Sequence, residues 1–94
     1  MEKIAQSDLS KKLQRKRKEI ERVDRKLLSL LNHRLRAALE CGKIKKEMGK
    51  KTYDPKREKE VLERLRIINR GPLNQEDLEK IFKTIISVCR KSQK

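Results

Sequence analysis

Arg34 and Lys45 stand where apolar residues are due. Leu13, Ile20, Leu27, Leu31, Leu35 and Ala38 recur at spacings of three, four or seven, the signature of one helix face. Arg34 falls three residues after Leu31 and four before Ala38, and Lys45 falls seven after Ala38. Both cations therefore lie on the inward face. The same pattern recurs further on. Arg57 and Glu58 lie four residues before Val61 and Leu62, and Cys89 and Gln93 continue the series Ile81, Ile85 in steps of four. A buried charge costs several kcal/mol unless it is paired. Inward cations therefore ask for an anion. With 28 Lys and Arg in the chain, some fall on any stripe by chance, and long cations near helix ends reach back to water. It is the polar ending of every stripe together that points to a site.

Spacing limits what that site holds. Arg34 and Lys45 are 11 residues apart, about 16 Å along one helix face. Their side chains, reaching toward each other, leave a gap sized for a small molecule. Arg17 lies 17 residues before Arg34, about 25 Å away and turned about 100° round the helix. It does not reach that ligand within its own subunit, but reaches the site of an antiparallel partner. Any role for Arg17 is thus in trans. His33 neighbours Arg34 but points about 100° away and reads as a surface or interface residue. Cys41 and Cys89 have no C-x-x-C spacing and no nearby His, so reduced thiols and no metal site are expected.

The elements that must position these groups are few. Only two breaks interrupt the chain, around Gly49 to Asp54 and around Gly71 to Asn74. The first helix is expected from about Ser7 or Asp8 to about Glu47. At 1.5 Å per residue it spans about 60 Å, too long for the remaining helices of one chain to cover, so it packs along its twin. Asp54 as N-cap and Pro55 at the first position open a second helix, with Val61, Leu62, Leu65 and Ile68 as its stripe and Gly71-Pro72 as its stop. Asn74 opens a third, with Leu78, Ile81, Phe82, Ile85 and Ile86 buried, running almost to the C-terminus. The expected fold is all-α: one very long helix and two shorter ones, as an intertwined homodimer. Residues 1–94 form a single domain, with 1–6 expected to lack order.

Composition agrees. Charged residues make up 45% of the 94, about a third are hydrophobic, and the net charge is +14. Such a balance favours helices and an anionic partner. A nucleic-acid-binding dimer competes for that charge and for the basic run Lys11 to Lys18. One Phe, one Tyr and no Trp leave almost nothing for bases to stack on, and no helix-turn-helix or zinc-finger spacing is present. The run reads as a solvated helix end, and no nucleic acid is expected. The first residues hold no apolar run, so neither a signal peptide nor a membrane span is expected, and the cytoplasm is the simplest location.

The stretch Arg17-Lys-Glu-Ile20, Asp24, Leu27 to Arg34 resembles the opening of the all-helical (type II) chorismate mutases. Gly42-Lys-Ile-Lys45 and Asp54-Pro-Lys-Arg57-Glu58 resemble the segments that follow. The resemblance runs from about Ser10 to Gln93. Around Gly71-Pro72-Leu73, Ile81-Phe82 and Cys89 it is most similar to the mutase domain of bifunctional mutase–prephenate dehydratases. It implies the rearrangement of chorismate to prephenate, in phenylalanine and tyrosine biosynthesis, without a cofactor. By the same resemblance Arg34, with Arg17 of the other subunit, holds the two substrate carboxylates. Lys45 and Gln93 bond to the ether oxygen. Glu58, with the backbone at Asp54, holds the ring hydroxyl, and Arg57 contacts a carboxylate directly or through water. Cys89 stands where many members have Ser. A thiol is the weaker donor, so core packing is its alternative role.

Two rivals share the helices. An isochorismate–pyruvate lyase has the same fold and would share Arg17, Arg34, Lys45 and Gln93, but the Asp54 to Glu58 segment fits the mutase pattern closely. A plain coiled-coil scaffold leaves an inward Glu58 beside Arg57 without a purpose. Asp24, also inward, has the geometry to pair with an Arg across a dimer.

Overall fold

The structure is a computed structural model that describes residues 2–93. Three helices follow one another: α1 (Glu2–Glu47), α2 (Pro55–Ile68) and α3 (Gln75–Ser92), with no strand among the described residues. The all-α expectation holds. Of the segment 1–6, Met1 lies outside the described residues, and α1 begins at Glu2 rather than near Ser7. The residues there are Glu, Lys, Ile, Ala and Gln, with neither Gly nor Pro to stop a helix, so it continues backward past Asp8.

The chain divides into two compact units, Met1–Asn32 and His33–Lys94. Within the first, α1 has no other element to pack on. Leu13, Ile20 and Leu27, expected on a covered face, are 51%, 59% and 48% exposed. Lys16 pairs with Glu19 at 3.0 Å on the surface of this unit, and that hydrogen bond holds the Glu19 carboxyl below its ordinary pKa.

The second unit holds the core. α1 ends in a Schellman turn. Gly49 takes φ +71°, its N–H reaches Lys46 O at 3.1 Å, and the Lys50 N–H reaches Lys45 O at 2.8 Å. A side chain at Gly49 would have to adopt the left-handed conformation that L-residues avoid. α2 opens as expected: Asp54 Oδ1 accepts from the Arg57 N–H at 3.1 Å, with Pro55 behind it. It closes at Ile68, three residues before the Gly71-Pro72 stop. Asn69 causes the early end. Its Oδ1 accepts from the Gly71 N–H at 3.0 Å and its Nδ2 donates to Leu73 O at 2.8 Å, so the side chain folds the loop in competition with the helix. Asn74 caps α3 by accepting from the Asp77 N–H at 2.8 Å.

α3 carries the centre of the core, with Leu78, Ile86 and Cys89 buried. It packs against α2, whose Val61, Leu62 and Leu65 are partly covered. Two residues of the expected stripes are not covered: Ile68 is 67% and Ile81 47% exposed. Ile68 is the last residue before α2 unwinds, and Ile81 sits at the edge of the α3 stripe, off the line of Leu78, Phe82, Ile86 and Cys89. An ion pair between Arg66 and Glu79 at 2.9 Å ties the two helices and holds the Glu79 carboxyl below its ordinary pKa. No helix among the described residues is long and apolar enough to cross a membrane.

Candidate active site

The second unit contains a cleft of about 360 Å³. α1 supplies Arg34, Ala38, Cys41 and Lys45; the following loop supplies Thr52 and Asp54; α2 supplies Arg57, Glu58 and Val61; the end of α3 supplies Ile86, Cys89, Arg90 and Gln93. Seven of the eight residues singled out in the sequence thus share one space. The eighth, Arg17, belongs to the first unit.

Each side chain is held by its element. Lys45 lies one turn before the Schellman end of α1. That turn brings Thr52 back, and Lys45 Nζ donates to Thr52 O at 3.1 Å. An ammonium has three N–H bonds, so two remain for a ligand. Arg34 is partly covered and has no ion-pair or hydrogen-bond partner among the described residues. Arg57 is more exposed and faces Glu60 at 3.6 Å. Asp54 uses its carboxylate to cap α2 and lines the cleft.

Gln93 is not the last residue of the α3 stripe but the C-cap just past it, with φ −81° and ψ 79°. Its Nε2 donates to Ala38 O of α1 at 2.7 Å. The side chain can lie there because Gly42 has none: a Cβ at Gly42 would stand 3.0 Å from both Cβ and Cγ of Gln93. The Gln93 Oε1 is buried without a hydrogen-bond partner among the described residues. An orphan acceptor costs about 1–3 kcal/mol. Cys89 is 6% exposed, in the core and in the wall of the cleft at once.

Arg90, in the wall, and Gly42, against the Gln93 side chain, are not singled out as site residues by the stripe pattern above. Arg90 Nη1 donates to both carboxylate oxygens of Glu58 at 2.8 Å, and its guanidinium lies 4.6 Å from the centre of the Tyr53 ring. Its signal is the series Phe82, Ile86, Arg90 in steps of four, which runs beside the series Ile81, Ile85. Gly42 carries no signal of its own, since only the crossing of α1 by the Gln93 side chain gives it a task.

The cleft therefore carries four cations, Arg34, Lys45, Arg57 and Arg90, against two carboxylates, Asp54 and Glu58. It has an excess of two positive charges and holds no His or Ser among its lining residues. Among the described residues no group of three or more His, Cys, Asp or Glu is placed to hold a metal ion. Such a site can grip and orient a small dianion and stabilise charge developing beside Lys45 and Gln93.

The family model described as chorismate mutase type II matches residues 16–94. A bifunctional chorismate mutase/prephenate dehydratase of Aquifex aeolicus is 38% identical over 82 residues, covering 83% of this chain and 23% of that protein. One of Neisseria gonorrhoeae is 36% identical over 73 residues, covering 78% and 20%. The chain thus spans between 20% and 23% of the length of these curated relatives. A chorismate mutase structure (form II) from Thermus thermophilus superposes with TM-score 0.85 at 40% identity, covering 87% of this chain and 93% of that one. A form I structure from the same organism gives 0.81 at 42% identity, covering 83% and 98%. The helices, the cationic cleft and these likenesses lead to one conclusion: the chain belongs to the chorismate mutase type II family.

Proposed function

We propose that this chain converts chorismate to prephenate. The observation that carries the proposal is the cleft's excess of two positive charges in a space lined by neither His nor Ser. Chorismate is a dicarboxylate, and its rearrangement is concerted. One carbon–oxygen bond breaks while one carbon–carbon bond forms within the same molecule. No proton moves and no nucleophile is needed. The reaction requires instead that the two ends of the substrate be held together in a compact chair.

The roles follow from the chemistry of each group. Arg34 is the free partly covered guanidinium and clamps one carboxylate through its planar fork. Arg57, at the mouth, meets a carboxylate directly or through water. As the carbon–oxygen bond breaks, negative charge grows on the ether oxygen. The two spare N–H bonds of Lys45 and the second Nε2 hydrogen of Gln93 serve that oxygen, and they serve it better in the transition state than in the ground state. Glu58, whose carboxylate has acceptor sites left beside Arg90, takes the ring hydroxyl together with the backbone at Asp54. Cys89 supports the wall.

The same proposal includes a homodimer. Leu13, Ile20 and Leu27 recur every seven residues on α1 and stay about half exposed in the single chain. A second α1 laid along them removes that surface from water, at about 25 cal/mol per Å². Laid antiparallel, it also carries Arg17 toward the partner's cleft, where it becomes the second carboxylate clamp.

The test is the loss of chorismate absorbance on adding purified protein, with prephenate identified as the product. Rapid conversion supports the proposal, and no conversion at micromolar protein overturns it. Because the chain carries a net charge of +14, the proposal also expects kcat/KM to fall several-fold as ionic strength rises from about 0.01 to 0.3 M, with kcat nearly constant. A response flat in salt would show that the surface charge does not steer the substrate.

Gly42→Ala examines the seat of Gln93. The new methyl has only 3.0 Å to atoms at the root of the Gln93 side chain, so Gln93 or the end of α3 must shift. The shift called for is a few tenths of an ångström, and since a full ångström at a catalytic group can cost about 100-fold, kcat should fall by about three- to tenfold. The better helix propensity of Ala offsets about 1 kcal/mol of the packing strain, so the melting temperature should change little. Unchanged turnover in Gly42→Ala would remove Gln93 from the reacting centre.

A further inference from the structure

We infer that Arg90 is a positioning residue: it holds the Glu58 carboxylate against the α3 side of the cleft and keeps it from pairing with Lys45. The inference rests on the reaction proposed above and extends it to a residue outside the roles assigned there.

Three observations carry it. A single nitrogen of Arg90 bridges both oxygens of Glu58 at 2.8 Å, so the carboxylate is fixed in rotation as well as in place. The guanidinium is itself fixed, lying 4.6 Å from the centre of the Tyr53 ring, which acts as a shelf beneath it. The pair joins α2 to α3 and is only partly covered, at 29% and 26% side-chain exposure, on a wall shared with Lys45.

An ion pair in such a place is a poor source of stability, because desolvation offsets much of its attraction and an apolar pair would serve as well. Its effect on charge is larger. Glu58 is the one lining carboxylate besides the α2 cap, and Lys45 is a lining cation without a carboxylate partner among the described residues. With Arg90 removed, Glu58 is left to pair with another cation of the cleft, and the Lys45 ammonium, which has no carboxylate of its own, is the one whose capture would cost the reaction most. That would consume the donor meant for the ether oxygen and withdraw the acceptor meant for the hydroxyl. With Arg90 present, both groups keep free valences directed into the cleft.

The experiment is a double-mutant cycle read through kcat and KM for chorismate. Arg90→Met should lower kcat by about 30-fold, because the trapped Lys45 acts in the transition state, whereas loss of a group that merely grips substrate would raise KM alone. Glu58→Gln is itself impaired, but in that background Arg90→Met should cost less than about twofold, since a neutral amide does not capture Lys45. This double variant also serves as the folding control, because it has the same hole at Arg90. Arg90→Lys should stay within about fivefold of wild type, as one ammonium can bridge both oxygens just as one guanidinium nitrogen does. Tyr53→Leu, which removes the shelf and leaves the pair, should fall between. Equal losses from Arg90→Met in the two backgrounds, or a loss confined to KM, would overturn the role. A wild-type protein that leaves chorismate untouched would overturn the proposed reaction and this role together. A fully active wild type with an equally active Arg90→Met would overturn the role alone.

Discussion

Lys45→Ala lowers kcat by about three orders of magnitude and leaves the helices intact; that is the largest single-residue effect expected here. The size follows from the place of the ammonium. Removing one neutral hydrogen-bond donor from a developing oxyanion costs about 2.7–4 kcal/mol, and a charged donor in a partly dry cleft is worth at least as much. The effect on folding is small for an equally definite reason. In the free protein Lys45 makes one hydrogen bond, to Thr52 O at 3.1 Å, at the edge of a turn that the Gly49 backbone already sets. A hydrogen bond of that kind contributes about 1 kcal/mol net. Circular dichroism and melting should therefore stay near wild type while chorismate consumption nearly stops. Lys45→Arg should rescue little, since a planar fork does not present a compact charge at the same point. Turnover within about tenfold of wild type in a folded Lys45→Ala protein would move the electrostatic work to another group.

That the site is readable from one chain owes much to the expense of inward charge. Arg34, Lys45 and Glu58 interrupt apolar stripes, and a stripe has so few physical reasons to end in a charge that the exceptions locate the cleft. Caps are readable for a related reason: Asp54-Pro55 and Asn74 each satisfy backbone donors that only a few short polar residue types serve well. What stays hidden depends on contacts between elements. Arg90 looks like any surface Arg until α2 delivers Glu58 and the loop delivers Tyr53. Gly42 looks like a flaw in a helix until Gln93 crosses it. Sequence places the end of α2 too late because Gly71-Pro72 is the louder signal, while Asn69 acts through its side chain on a loop that does not yet exist in the sequence. Leu13, Ile20 and Leu27 read as inward, and in one chain they are not. A periodic stripe says that a face is to be covered, not by what.

Mixing two inactive variants should restore activity, and the amount tells where Arg17 works. Arg17→Ala lacks the second clamp and Lys45→Ala lacks the ether-oxygen donor, so each homodimer is expected to be nearly inert. When the two proteins are unfolded together and refolded at equal amounts, about half of the dimers contain one subunit of each kind. If Arg17 reaches across the dimer, the cleft of the Arg17→Ala subunit holds its own Lys45 and receives Arg17 from its partner, so it is complete. The other cleft of that dimer lacks both groups. One working site in half the dimers amounts to about a quarter of wild-type activity, recovered from two preparations with almost none. If Arg17 instead serves its own subunit, every cleft in the mixture lacks one group and nothing is recovered. The same mixture measures the dimer itself. A monomeric chain gives no recovery and elutes at its own mass of 11.2 kDa, whereas a dimer with Arg17 in cis gives no recovery at twice that mass. Recovery requires both the antiparallel pairing that would cover Leu13, Ile20 and Leu27 and a cleft that is incomplete without the neighbouring chain.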